Sequence, residues 1–133
     1  MIKRRKRERF GTRQETRIRC PAHLAWVRGF SCPVCDERQV FQLARTQAAH
    51  VRSGTDGGLS VKPGDNWAIP LCAIHHAEQH MDGENAFAAR YGIDMKALAA
   101  QLWQRSPHRI KYEQRIRERK ERTETARKEL GNG

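Results

Sequence analysis

The sequence has no long apolar run. Hydrophobic residues make up 38% of its 133 positions, and no stretch approaches the roughly 20 residues needed to cross a bilayer, which excludes a membrane-spanning helix. The N-terminus, MIKRRKRERF, lacks the apolar segment and small-residue cleavage site of a secretory signal. A cytoplasmic location is therefore expected, nucleoid-associated in a bacterium. Aromatic side chains are scarce at 7%, and the 15 acidic residues are outnumbered by 26 Lys and Arg. A chain this short holds one compact domain with extensions, not a large multidomain enzyme.

The charge is unevenly placed. Residues 1–19 carry nine basic and two acidic side chains, and residues 109–133 carry nine and five, so the net +11 sits wholly at the two ends while residues 20–108 sum to zero. A neutral domain between basic arms suggests a polyanionic partner such as nucleic acid, because clustered Lys and Arg displace condensed counterions from phosphates. The competing reading is that the arms are solubilising tails. The expected division is a flexible basic arm at 1–19, a domain at 20–107, and a charged, helical basic tail at 108–133. In the tail, Glu113 with Arg117, Glu118 with Arg122 and Glu124 with Lys128 stand at helical spacing.

Within the domain, AHLAWVRG predicts a short helix over 22–29 with Leu24, Val27 and Arg28 on one face. FSCPVC predicts a tight thiol-bearing turn. Residues 38–52 read as two short strands, with helix open for part of the run. The four glycines and one proline of 53–66 predict a loop with little core potential. WAIPL predicts a buried strand ended by Pro70, and Cys72 opens a helix to about Met81. Two further helices are expected, about 84–91 closed by Gly92, and about 94–105 capped by Asp94 with Leu98, Leu102 and Trp103 as its buried stripe. The fold class expected from this order is α+β.

Four cysteines in a reducing compartment are metal ligands or free thiols sooner than disulfides. Cys32-x2-Cys35 and Cys72-x2-His75, separated by 36 residues, form two two-ligand knuckles. Together they complete a tetrahedral Cys3His site, for which zinc suits both geometry and ligand softness. The alternative is a redox pair or small buried hydrophobes. Cys20 and His23 have the spacing of a third knuckle, but the first four ligands close the tetrahedron, so packing or surface roles are expected for them. On the helix begun by Cys72, His76 and His80 share a face distinct from that of Cys72 and His75. Two imidazoles at that spacing can hold a divalent ion or be merely structural.

CPVC, AAHVR and KPGDNWAIPLCAIHHAEQH, in that order, resemble the HNH (ββα-metal) endonuclease superfamily in its zinc-stapled form. More narrowly, HLAWVRGFSCPVC, VKPGDNWAIPLC, HHAEQH and YGIDMKALAAQLW resemble small phage and prophage proteins of the DUF968 and Ref-like nuclease group. The resemblance implies a zinc-stapled ββα core that hydrolyses DNA phosphodiesters, double- or single-stranded, possible partnership with a recombinase filament, and a role in phage recombination. It makes His50 the general base, His76 and His80 the ligands of a catalytic divalent ion (Mg²⁺, Mn²⁺ or Zn²⁺), and Asn66 a brace for the base. Arg52 or Lys62 would contact phosphate. Two positions depart from the pattern. Ala49 stands where many relatives carry Asp or His as a metal ligand, and Asn66 lies six residues before Cys72 instead of five, leaving Trp67 in that slot and Asp65 as a substitute ligand. Ala49 keeps open a non-catalytic DNA-binding or recombination accessory role. A zinc-dependent RNA-binding or interaction module would need only the knuckles and arms.

Overall fold

The computed structural model describes residues 17–58 and 61–131. The fold is α+β, a two-stranded antiparallel sheet wrapped by helices. In chain order the elements are α1 (Pro21–Val27), α2 (Pro33–Glu37), β1 (Thr46–His50), a 3-10 turn (Asp65–Trp67), β2 (Ala68–Cys72), α3 (Ala73–Asp82), α4 (Glu84–Tyr91), α5 (Met95–Arg105) and α6 (Arg109–Gly131).

Local chemistry sets most of the boundaries. Pro21 and Pro33 occupy the first turns of α1 and α2, where a missing N–H costs nothing. Asp94 Oδ1 accepts from Ala97 N at 3.0 Å to start α5, and α4 stops at Gly92, whose φ of 61° suits a residue without a Cβ. The buried face of α1 is His23 and Val27. Leu24 is only half-buried and Arg28 is exposed, so the expected Leu24–Val27–Arg28 face is rotated.

The sheet corrects two expectations. Residues 38–52 supply one strand, not two, and β1 pairs instead with β2, with Thr46 opposite Cys72 and His50 opposite Ala68. Pro70 does not end its strand. The bonds from Val51 N to Trp67 O and from Ala73 N to Arg45 O fix the ladder so that Pro70 and Ala48 form a non-hydrogen-bonded pair. The absent N–H therefore falls on the outer edge and removes no ladder bond. Every residue of β2 is buried, because α1, α2, α3 and α5 all touch it. Its Ile69 and Leu71 join Val34, Val51, Phe87, Met95 and Ala99 in the core. The stripe on α5 is Met95, Ala99, Leu102 and Trp103, with Leu98 half-buried.

The glycine-rich loop contributes more than expected, since Pro63, Gly64 and Asp65 are buried. They are held by residues 17–20. Arg17 Nε donates to Asp56 O at 2.8 Å, Arg19 Nη2 to Lys62 O at 2.9 Å and Asp65 N to Ile18 O at 2.8 Å. The end of the expected basic arm is thus a strap across the loop, while the reading of 1–16 as flexible lies outside the described residues. The tail is helical, as its pairs suggest, and buries no residue. Glu124 and Lys128 pair at 3.8 Å, but Glu113 is taken by Arg109 at 3.2 Å and not by Arg117. No helix among the described residues is long and apolar enough to cross a membrane.

His23 has a thermodynamic signature. Its ring is fully buried between Trp26 and Trp103, and neither ring nitrogen has a hydrogen-bond partner among the described residues. Burial lowers its pKa from 6.5 to about 4, against the attraction of Asp65. Unfolded chains therefore bind a proton that folded ones refuse, and this contribution to stability is full above pH 6.5 and lost as pH falls toward 4. Urea unfolding of wild type and His23→Phe at pH 7 and pH 4.5 should show the wild type losing on the order of 3 kcal/mol more than the variant; equal losses would contradict a buried neutral imidazole.

Candidate functional site

The two knuckles converge. Cys32 and Cys35 bracket the start of α2, and Cys72 and His75 sit where β2 passes directly into α3. Cys72 Sγ accepts from His75 N at 3.5 Å, capping the helix with a thiol. His75 Nδ1 lies 3.1, 3.5 and 3.6 Å from Cys72, Cys35 and Cys32 Sγ, and Cys35 Sγ is 3.9 Å from Cys72 Sγ. A tetrahedral zinc with ordinary bond lengths sets sulfur–sulfur separations of about 3.8 Å and sulfur–nitrogen separations of about 3.6 Å, so the donor set fits such an ion. All four ligand atoms fall within 4.8 Å of one another. These residues can hold a structural metal such as zinc. Without a cation, burial and the neighbouring thiols of Cys32 and Cys72 push the Cys35 thiol up to about 12, the crowding that a dication relieves. Tyr91 packs edge-on against the His75 ring at 5.4 Å, and its hydroxyl donates to Glu78 Oε1 at 2.6 Å, so α4 buttresses the ligand. Cys20 and His23 are both buried, in the packing role expected of them.

A second group of side chains lies next to the first. His50 ends β1, and its Nε2 is 3.0 Å from Asp65 Oδ1. The Asp65 side chain is only 4% exposed and its other oxygen accepts Cys20 N at 2.8 Å, with Arg19 Nη1 3.6 Å from Oδ1. The bonds from His50 and Cys20 and the nearby guanidinium outweigh burial and hold the Asp65 carboxyl below its ordinary value. A carboxylate accepting from Nε2 fixes the imidazole tautomer with Nδ1 as its basic nitrogen. The side chain that bonds His50 is that of Asp65, while the neighbouring Asn66 Oδ1 is buried without a hydrogen-bond partner among the described residues. The local sequence hinted at Asp65 only as the acid immediately preceding Asn66. A Cβ at Gly64 would run into Asn66 Oδ1, so a larger residue there would have to displace the Asn66 side chain.

On α3, one turn apart, the His76 and His80 Nε2 atoms are 3.1 Å from each other. Gln47 Oε1, reaching from β1, is 2.7 Å from His76 Nδ1. Gln47 accepts from Nδ1–H, which leaves the His76 Nε2 lone pair directed at its partner. Burial, His80 and His50 all lower the His76 pKa, favouring the neutral ring that binds cations. Ala49 is fully buried and, by strand alternation, shares its face with Gln47; the polar group that this face offers to α3 is the amide, not a carboxylate. Among the described residues, only the Cys3His group brings three or more candidate ligands together. Arg52 and Lys62 are exposed near the loop, Arg52 with its backbone N–H on Glu84 Oε2 at 2.8 Å.

Protein purified with zinc in the medium should carry about one tightly held zinc by mass spectrometry under native conditions. Cys32→Ser should lose it and, because binding free energy at such sites is folding free energy, lose its thermal transition too. Retention of both in Cys32→Ser would refute the cluster.

No curated protein and no solved structure matches the sequence. Residues 8–108 match the family described as "Protein of unknown function (DUF968)". The match covers more than half of the chain, takes in both knuckles, His50, Asp65 and the paired histidines, and stops where α6 begins. By that match, this chain belongs to the DUF968 family.

Proposed function

We propose that the protein is a metal-dependent DNA endonuclease of HNH type, in the Ref-like phage and prophage group. The observation that carries the reading is the His50–Asp65 pair at 3.0 Å, on the strand whose Gln47 also holds His76. An antiparallel pair leading without a break into a helix, with a histidine at the end of the first strand and histidines on the helix, is the order of parts a ββα-metal nuclease needs. His50 takes a proton from water through Nδ1, Asp65 stabilises the imidazolium that forms, and the water attacks the scissile phosphorus. His76 and His80 would hold a divalent ion, with Gln47 orienting the ligand. That ion would supply charge stabilisation at the phosphate and the departing 3′ oxygen. The basic tail raises affinity for DNA without reading sequence.

The second reading is a zinc-stabilised accessory protein that binds DNA and cuts nothing. Ala49 favours it, since the imidazole pair has no third protein ligand close by among the described residues.

Incubation of the protein with supercoiled and single-stranded DNA, with Mg²⁺ or Mn²⁺ and with or without a recombinase filament, separates the two. Cleavage is expected, falling about 10²- to 10⁴-fold in His50→Ala, as for loss of a general base. Asp65→Asn should lower the rate less and shift its pH profile. Binding without nicking under every condition would leave the accessory role.

A further inference from the structure

The segment between α2 and β1 has its polarity reversed. Gln42 turns inward, with Oε1 accepting from Cys32 N at 2.8 Å and Nε2 donating to Ala44 O at 2.8 Å and Thr46 Oγ1 at 2.9 Å. Val40 N bonds Cys35 O at 3.0 Å, and Ala73 N bonds Arg45 O at 3.0 Å. The loop is fixed at both ends and in its middle. Yet its apolar side chains face solvent, Val40 at 52%, Phe41 at 85% and Leu43 at 82% exposure. Arg38 and Arg45 flank them, and from Arg38 to Thr55 the chain has three arginines and no acidic residue. Arg38 and Arg45 are both exposed, and the Arg38 guanidinium lies 4.7 Å from the centroid of the Tyr91 ring.

We infer that Phe41 and Leu43 form a wedge that packs against unstacked bases, selecting branched, bulged or single-stranded DNA over intact duplex. A rigid apolar tip between cations matches a nucleic acid whose base faces are open and whose phosphates lie on either side. A second copy of the chain fits poorly, since it would bring two arginine-flanked loops together. The loop leads into β1, which ends at His50; from Leu43 to His50 the chain reaches at most about 23 Å at 3.3 Å per residue. The wedge therefore grips within about seven base steps of the site of cutting. This inference rests on the DNA-binding part of the proposed function and not on cleavage.

The test is equilibrium binding to single-stranded, bulged and fully paired oligonucleotides carrying 2-aminopurine, with wild type and Phe41→Ser/Leu43→Ser. Both positions are exposed, so the variant should keep its zinc and thermal transition. Wild type should bind bulged or single-stranded DNA about 10-fold tighter than duplex and alter the fluorophore's emission. The variant should lose that preference and that signal while keeping duplex affinity and its salt dependence. An unchanged preference in the variant overturns the wedge and leaves DNA binding intact, whereas absence of binding to any DNA overturns both. A wild-type dimer that becomes monomeric in the variant, with DNA preference unaltered, assigns the loop to self-association and overturns the wedge.

Discussion

Four side-chain atoms, three sulfurs and one nitrogen, come from the chain's two halves to within 4.8 Å of one another, a donor set that can hold a metal such as zinc. The core is small, a two-stranded sheet under short helices, and a domain of this size buries too little apolar surface to be generous with stability. The Cys3His cluster ties α2 to the β2–α3 junction, across a connection that includes β1 and the glycine-rich loop. A metal bound there would fix the direction in which α3 leaves the sheet. The faces of α3 are set by its first residue, and so are the positions of its histidines.

The placement of the two groups on α3 follows from helical geometry. Cys72 and His75 look toward α2, and the next residue, His76, projects about 100° round the helix toward β1. One short helix thus joins a largely buried cluster to an imidazole pair of which His76 is half-buried and His80 exposed. The first gives rigidity and the second inherits it, because His76 has no freedom to follow a mobile backbone. Asp65 does the same for His50 from the other side, buried and bonded while its imidazole partner remains part-exposed.

How much of this was legible depended on the range of the interaction. Helix ends set by Asp94, Gly92 and Cys72 are local events, and the knuckle spacing is local twice over, so these could be read from the sequence. The pairing of Thr46 with Cys72 is not local. Residues 38–52 alternate too weakly to announce one strand, and Pro70 looks like a terminator until the register shows its nitrogen on the outer edge. The partners of Asp65 are not local either, since Cys20 N and the His50 ring lie 45 and 15 residues away in the chain. The exposure of Phe41 and Leu43 is equally beyond local reading, since it depends on the inward turn of Gln42.

The strap of residues 17–20 connects the start of the described chain to the His50–Asp65 pair. Asp65 touches that strap through its main chain at Ile18 and through its carboxylate at Cys20 and Arg19. The orientation of the His50 imidazole thus depends, through Asp65, on where the chain enters α1 at Cys20.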